Sequence, residues 1–190
     1  GLEKGTEEFL TKFQTKMGDL KMGDPMDETT QLGPLSSEGA LERILKQVNR
    51  AVAQGAKIEV GGKKPNLTGN FIEATIISNI TPEMDLYKEE LFGPVASLYV
   101  VKNEEEAIQL ANATEFGLGG SIFSKDIERA KNIANQIDSG MIFINHPTKS
   151  STDMPFGGTK RSGYGRELSV LGIEEFVNKK LIRVISEKEK

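Results

Sequence analysis

Three carboxylates in this sequence stand beside turns that are rich in glycine or proline. Glu89 and Glu90 lie in EELFGPVASLYVV, just before a bulky apolar pair and a Gly-Pro turn, and Glu167 lies in GYGREL. A carboxylate in such a place can reach a ligand while the turn holds it in position. The alternative is that all three are solvated surface charges, and the residues taken alone favour that simpler interpretation.

The densest run of glycine is PFGGTKRSGYGREL, residues 155–168. Glycines let backbone N–H groups approach an anion at a helix N-terminus, and phosphate loops are built in this way. However, GYGREL has only two of the three glycines of G-x-G-x-x-G, with Leu168 at the third, and no predicted strand runs directly into it. A loop that passes closely against other backbone is the favoured interpretation.

Other side chains that could do chemistry are few. His146 is the only histidine, and by itself it lacks the partners of a metal site or of a catalytic triad, so structural packing is the favoured role. Ser150, Ser151 and Thr152 could bind a carboxylate or merely satisfy a loop, and the sequence leaves this open. Cysteine is absent, which excludes disulfides, thiolate metal sites and a cysteine nucleophile within the chain.

The elements that must position these residues alternate between helix and strand. Apolar spacing and capping residues predict helices over Thr6–Met17, from Ser36 or Ser37 to Gln54, after Asn103, from Asp126 to Asp138 and over Arg166–Asn178. Strands are predicted over Lys57–Val60, Phe71–Ile80, Ala96–Val101, Gly119–Phe123, Gly140–Asn145 and Leu181–Ile185, followed by a charged tail. This alternation predicts an α/β fold with a mostly parallel sheet.

Length and composition limit the classes of protein to consider. A chain of 190 residues, 37% of them hydrophobic, is long enough for one domain with a substantial core. The formal net charge of -4 comes from interspersed acidic and basic residues, so no nucleic-acid surface is expected. Neither a run of about 18 apolar residues nor a signal-peptide pattern is present, so no membrane association is expected and a cytoplasmic location follows by default.

Five stretches carry a resemblance to a known family. They occur in the order GDPMDETTQLGPL, GAKIEVGG, EELFGPV, ANATEFGLGGSIFSKD and MPFGGTKRSGYGREL, and together they cover nearly the entire chain. This series closely resembles the C-terminal part of the NAD(P)-dependent aldehyde dehydrogenases. The region from HPTKSSTDMPFGG onward is most similar to the semialdehyde-oxidising members, particularly the succinate-semialdehyde dehydrogenases.

The resemblance implies cofactor contacts for the first motif. Glu90 matches the glutamate whose carboxylate accepts hydrogen bonds from the nicotinamide ribose hydroxyls, and Phe92 matches the aromatic ring beside that ribose and the nicotinamide. A carboxylate suits neutral sugar hydroxyls because it can accept from both at once, and the apolar neighbour keeps water from competing. The cofactor implied for the full-length enzyme is NAD or NADP, and the resemblance does not choose between them.

The resemblance also implies roles near the substrate. Glu167 matches a glutamate that relays protons away from the catalytic base, and Phe156 matches an aromatic residue that lines the aldehyde tunnel. Ser150 or Ser151, on the loop that borders the substrate mouth, could hydrogen-bond the distal carboxylate of a small semialdehyde such as succinate semialdehyde.

Several parts of the family's machinery are missing from the sequence. In this family a cysteine thiolate attacks the aldehyde to give a thiohemiacetal, hydride passes to the nicotinamide, and water releases the acid. The cysteine, the glutamate general base, the oxyanion asparagine and the nucleotide-binding domain all lie before the matched region. The sequence is therefore expected to be a C-terminal piece of such an enzyme, inactive alone and with no cofactor bound.

The resemblance predicts the domain organisation as well. Residues 1–178 are expected to form part of the catalytic domain, and residues 179–190 an oligomerisation strand and tail, so a homo-oligomer is expected. A non-catalytic assembly module derived from this fold remains an alternative, since an unpaired strand at Leu181–Ile185 would be an open edge that seeks a partner.

Overall fold

The computed structural model of the protein describes residues 5–187. Its helices are α1 (Thr6–Gly18), α2 (Glu38–Ala53), α3 (Glu104–Asn112), α4 (Ile127–Ala134) and α5 (Ser169–Glu174), with a short 3₁₀ helix at Asp85–Tyr87. Its strands are β1 (Lys57–Val60), β2 (Thr75–Ser78), β3 (Val95–Ser97), β4 (Phe116–Gly117), β5 (Gly119–Ile122), β6 (Met141–Ile144) and β7 (Thr159–Lys160). The predicted α/β class is therefore confirmed.

The chain divides into two compact units, one ending at Ala107 and one beginning at Ile108. The length alone predicts one domain, whereas the main hydrophobic cluster lies entirely in the first unit. The apolar stripe of α2 contributes four residues to that cluster, and Ile44 and Val48 among them are 1% and 0% exposed. Ile77 of β2 packs into the same cluster.

Helix α2 shows why the local predictions succeed. Ser37 has extended backbone geometry, and its side-chain oxygen accepts a hydrogen bond from the amide of Ala40 at 3.2 Å. This is the N-cap interaction expected at the start of a helix. At the other end Gly55 has a φ of 109°, a left-handed conformation that glycine adopts without a Cβ penalty. The helix therefore begins and ends where its sequence predicts.

The strands pair in three small sheets within the described residues. In the first unit the order is β1-β2-β3, with β1 antiparallel and β3 parallel to β2. In the second unit β5 lies parallel to β6, and β4 lies antiparallel to β7. Two of these four pairings are parallel and two are antiparallel, and they belong to three small sheets rather than to one continuous sheet.

Several predicted strands are shorter in the structure. Only Thr75–Ser78 of the predicted strand Phe71–Ile80 joins the sheet, because the amide of Glu73 instead donates to the carbonyl of Lys63 at 2.9 Å. The strand predicted over Ala96–Val101 is found at Val95–Ser97. The strands predicted over Gly119–Phe123 and Gly140–Asn145 end at Ile122 and Ile144, and the second begins at Met141.

The last two predicted helices are also shorter. The helix capped by Asp126 ends at Ala134, after which the amides of Gln136 and Ile137 donate in tighter turns to residues three positions earlier. The helix predicted over Arg166–Asn178 occupies only Ser169–Glu174. Its predicted first turn does not form because the backbone of Glu167 is hydrogen-bonded to Phe156.

Within this single chain, Leu181–Ile185 is not paired as a strand, and its expected role as a strand between subunits stays a prediction. No other segment in residues 5–187 pairs with these residues, and an extended chain without a ladder partner forms no sheet. The predicted charged tail lies, apart from Glu187, outside the described residues. Among the residues that the structure describes, no helix is long and apolar enough to cross a membrane.

Candidate active-site segments

Side chains in the segment 89–93, between the 3₁₀ helix and β3, alternate in direction. The carboxylate of Glu89 points toward α2, where it accepts a hydrogen bond from Nε2 of Gln47 at 3.2 Å and forms an ion pair with Arg50. Leu91 packs against the hydrophobic cluster. Glu90 and Phe92, which alternate with them, are exposed.

The backbone of this segment is closely constrained after Phe92. A Cβ added to Gly93 would overlap Cδ1 of the buried Ile44 and lie 3.2 Å from Cδ2 of Leu35, so the glycine allows the chain to approach α2 closely. The carbonyl of Pro94 accepts a hydrogen bond from the amide of Thr75 at 2.8 Å, which leads the chain into β3. The turn is therefore fixed by packing on one side and by the sheet on the other.

Glu90 and Phe92 consequently form a small exposed surface on a fixed loop. Phe92 is 77% exposed, so its side chain is accessible to a ligand. The carboxylate of Glu90 has no hydrogen-bond or ionic partner among residues 5–187, while its backbone carbonyl accepts from Nε2 of Gln47 at 3.3 Å. A free bidentate acceptor next to an apolar ring fits a sugar diol that carries an aromatic base.

In the second unit, Phe156 and Glu167 are brought together by the backbone. The amide of Phe156 donates to the carbonyl of Glu167 at 2.8 Å, and the amide of Glu167 donates back at 2.7 Å. Phe156 is half-buried, whereas Glu167 is exposed. This antiparallel bridge closes the glycine-rich segment into a loop and explains why α5 does not begin at Arg166.

The glycine-rich loop passes very close to other backbone, as the sequence favours. A Cβ added to Gly140 would lie 2.7 Å from both the carbonyl carbon of Gly157 and Cα of Gly158, and closer still to the carbonyl oxygen of Gly157. Nη1 of Arg166 donates to the carbonyls of Gly158 at 3.0 Å and Gly165 at 2.6 Å. These contacts account for the glycines without a phosphate ligand.

Backbone strain follows immediately after Glu167. Leu168 and Ser169 have φ values of 62° and 53°, and left-handed geometry is costly for residues that have a Cβ. Lys160, in the same loop, has a φ of 54°. Such strain is found disproportionately at functional sites.

The loop after β6 presents the candidate serines. Ser150 is exposed, and Ser151 is half-buried with its hydroxyl donating to the carboxylate of Asp153. This hydrogen bond holds the pKa of Asp153 below its usual value. Because the hydroxyl of Ser151 is already engaged, Ser150 is the one of the two with its side chain available to a ligand.

His146 has a different setting from the packed one that the sequence favours. Its side chain is exposed, its Nδ1 lies 2.6 Å from the carbonyl oxygen of Pro147, and its ring centroid is 6.0 Å from that of Phe143. The packing prediction is therefore wrong, because the strand ends before His146. Nor does the described part of the chain hold a group of three or more His, Cys, Asp or Glu side chains that could bind a metal ion.

The candidate residues fall in two groups. Glu90 and Phe92 lie in the first unit, and Ser150, Ser151, Phe156 and Glu167 lie in the second. The sequence reasoning missed Gln47 and Arg50, which orient Glu89 and thereby leave Glu90 exposed. Their spacing of three on α2 places them on one face of the helix, but nothing local indicates which acid they bind.

A family comparison accounts for nearly the whole chain. Residues 2–182 match the aldehyde dehydrogenase family. One relative is the succinate-semialdehyde dehydrogenase [NADP(+)] of Deinococcus radiodurans, which is 48% identical over 184 residues. That alignment covers 97% of this chain but only 39% of the relative, so the chain spans about two-fifths of the length of this relative.

Solved structures agree with this comparison. The succinic semialdehyde dehydrogenase of Streptococcus pyogenes, in complex with NADP+, superposes with a TM-score of 0.94 at 44% identity and covers 97% of this chain and 41% of its own. The betaine aldehyde dehydrogenase of Staphylococcus aureus, in complex with NAD+, superposes with a TM-score of 0.88 at 36% identity. It covers 98% of this chain and 40% of its own.

Proposed function

The chain belongs to the aldehyde dehydrogenase family, and from this membership we propose that it is the C-terminal part of an NAD(P)-dependent enzyme that oxidises a semialdehyde to the acid. The observation that carries the proposal is the fixed turn that exposes Glu90 and Phe92, while Glu89 is held by α2 and Leu91 packs against the hydrophobic cluster. Such a surface suits a nucleoside whose sugar needs an acceptor and whose base needs an apolar neighbour.

Glu90 and Phe92 are the residues of this chain that hold the cofactor in this proposal. The carboxylate of Glu90 accepts hydrogen bonds from the two ribose hydroxyls, and the ring of Phe92 packs beside the nicotinamide ribose. When bound, the nicotinamide supplies the acceptor for the hydride that leaves the substrate. Because relatives of similar fold are named with NADP+ and with NAD+, the cofactor proposed here is either of the two.

Residues of the second unit act on the substrate and on protons. We place Phe156 in the wall of the aldehyde tunnel and Glu167 in the path by which protons leave the site. The exposed hydroxyl of Ser150 donates to the distal carboxylate of the substrate. Succinate semialdehyde is the proposed compound because two of the three relatives described above are named as dehydrogenases of it. Ser151 instead orients the loop through Asp153.

The nucleophile is outside this sequence, since the 190 residues contain no cysteine. In the proposed reaction a cysteine thiolate attacks the aldehyde to form a thiohemiacetal, loss of hydride to the nicotinamide would give a thioester, and water then releases the acid and restores the thiolate. We therefore expect the purified chain to produce no NAD(P)H from succinate semialdehyde. Production of NAD(P)H by a sample free of any full-length enzyme would refute this.

The role of Glu90 can be tested directly in the full-length protein that carries this sequence. Glu90→Gln removes the charge and one strong acceptor, so the KM for the cofactor should rise about tenfold, as expected for the loss of a charge-assisted hydrogen bond. Glu42→Gln is the matched control, because Glu42 is an exposed glutamate on α2. Equal KM values for the two variants would contradict the proposed cofactor contact.

Assembly is a second proposed property, and a specific observation favours it. Leu181, Ile182 and Val184 are 90%, 76% and 86% exposed, in a segment with no strand partner in residues 5–187. Exposed contiguous apolar residues mark protein contacts, and an extended segment can add to the edge of another sheet. We propose that residues 179–190 serve homo-oligomer formation, alone or beside catalysis.

Light scattering tests this property. The full-length protein should be an oligomer at micromolar concentration, and Ile182→Asp together with Val184→Asp should shift it toward the monomer. A monomeric parent protein would refute assembly, and it would leave the cofactor test with Glu90→Gln unaffected. The predicted cytoplasmic location and the domain boundary at residues 178–179 stay predictions.

A further inference from the structure

One face of α2 holds both ends of the segment 85–90. Gln47, Arg50 and Gln54 are spaced by three and four residues, which places them on the same side of the helix. Their partners are the acidic side chains of Asp85 and Glu89. The partners are some 30 to 40 residues away along the chain, so these contacts are tertiary.

Arg50 is at the centre of this arrangement. Its Nε lies 3.1 Å from Oδ2 of Asp85, and its Nη2 forms an ion pair with Oε1 of Glu89. A planar guanidinium can direct separate N–H groups to two carboxylates at once, which a lysine ammonium does less well. The side chain of Arg50 is 37% exposed and that of Glu89 is 31% exposed, so the pair is only partly solvated.

The neighbouring glutamines complete the attachment. Nε2 of Gln47 donates to the Glu89 carboxylate at 3.2 Å and to the Glu90 carbonyl at 3.3 Å. Gln54 makes two hydrogen bonds of 3.2 Å with Asp85, one to its carboxylate and one from its amide. The segment is thereby tied to α2 at Asp85 and at Glu89, with Leu86 buried between them.

We propose that Arg50 is a positioning residue for cofactor binding. By neutralising and holding Glu89, it fixes the backbone from which Glu90 and Phe92 project, so the binding surface is ordered before the cofactor arrives. This rests on the proposed cofactor role of Glu90 and Phe92. A binding loop that is ordered in advance loses less conformational freedom on binding, and the saving appears as tighter binding.

The test uses two substitutions of Arg50 in the full-length protein. Arg50→Met keeps the aliphatic stem and removes both ion pairs, and we expect the KM for the cofactor to rise about three- to tenfold, which is the lower part of the range of coupling between contacting residues. The kcat and the KM for the aldehyde at saturating cofactor should stay close to the parent values. Arg50→Lys should give an intermediate rise in cofactor KM.

The control is Arg43→Met on the same helix. Arg43 is exposed and has no ionic partner within the described residues, so its substitution removes the same charge without freeing the segment. It should leave the cofactor KM unchanged. A rise equal to that of Arg50→Met would show that the charge of α2 matters rather than the attachment, and it would overturn the proposal.

A double-mutant cycle distinguishes this proposal from the one on which it rests. If Arg50 acts through Glu90, the effect of Arg50→Met on cofactor KM should shrink in the Glu90→Gln background. If Glu90→Gln alone has no effect, the cofactor role of Glu90 fails. If Glu90→Gln raises the cofactor KM and neither Arg50 variant does, only the positioning role of Arg50 fails. A lower Tm of Arg50→Met would not rescue that role, because it would show a contribution to stability alone.

Discussion

The close backbone contact at Gly140 leads to a sharp prediction about stability. In Gly140→Ala the new Cβ would lie 2.7 Å from the carbonyl carbon of Gly157 and from Cα of Gly158, and closer to the carbonyl oxygen between them. Carbon atoms normally approach to about 3.5 Å at the nearest, so the two backbones would have to separate by roughly 1 Å. Backbone, unlike the end of a side chain, cannot turn away from such a contact.

The magnitude follows from the cost of overpacking. Inserting one methyl group into a well-packed site costs about 1–3 kcal/mol and occasionally more, and a clash with main chain should lie near the upper end, at about 3 kcal/mol. Of the displaced residues, Gly157 directly follows Phe156, whose bridge to Glu167 closes the loop. We therefore expect the amides of Phe156 and Glu167 to lose hydrogen-exchange protection as well.

The assay is urea unfolding of the chain, combined with hydrogen exchange at those two amides. Gly39→Ala is the control, because a Cβ there meets no atom within 4 Å and the residue lies in α2, where alanine is neutral or stabilising. A loss below about 1 kcal/mol for Gly140→Ala, with protection of the bridge unchanged, would refute the reasoning. It would mean that the glycine-rich loop shifts freely.

Two further predictions concern single hydrogen bonds. Thr75→Val should lower the free energy of unfolding by about 1–3 kcal/mol. The fully buried hydroxyl of Thr75 accepts a hydrogen bond from the amide of Gly62 at 2.8 Å and donates one to the carbonyl of Glu73 at 2.7 Å. An unchanged midpoint of urea unfolding would contradict this prediction. Ser151→Ala should raise the pKa of Asp153 toward its unfolded value in a carboxyl NMR titration, and an unmoved titration would count against the contact. Because the folded pKa is the lower one, this contact stabilises above the unfolded pKa of about 4, and the contribution is lost as the pH falls through the folded pKa.

Local sequence signals determined much of the secondary structure. The start of α2 follows from one side chain and an amide three residues away, and the same holds for α3, where Oδ1 of Asn103 accepts from the amide of Glu106 at 2.9 Å. Capping and hydrophobic periodicity act within a few residues, so they are legible in the sequence. Strand β1 was likewise predictable to the residue, over Lys57–Val60.

Pairing between distant segments could not be predicted from the sequence in the same way. The predicted helix from Arg166 loses its first turn because the backbone of Glu167 bonds to Phe156, and the local helical pattern carries no sign of that competitor. The predicted final strand shows what happens when a partner is missing. Leu181–Ile185 has the apolar composition of a strand, but a strand exists only with a partner, and residues 5–187 supply none.

The same distinction between local signals and distant contacts applies to the candidate site. The sequence places the acids Glu89 and Glu90, the ring of Phe92 and a rigid turn next to one another, but these residues taken alone favoured surface charges, and the resemblance supplied the predicted roles of Glu90 and Phe92. Only the tertiary structure decided which acid is free, since Arg50 and Gln47 bind Glu89 from a helix some 40 residues earlier and leave Glu90 exposed. Residue types and local spacing are written in the chain, whereas the direction of each side chain depends on partners that folding brings to it.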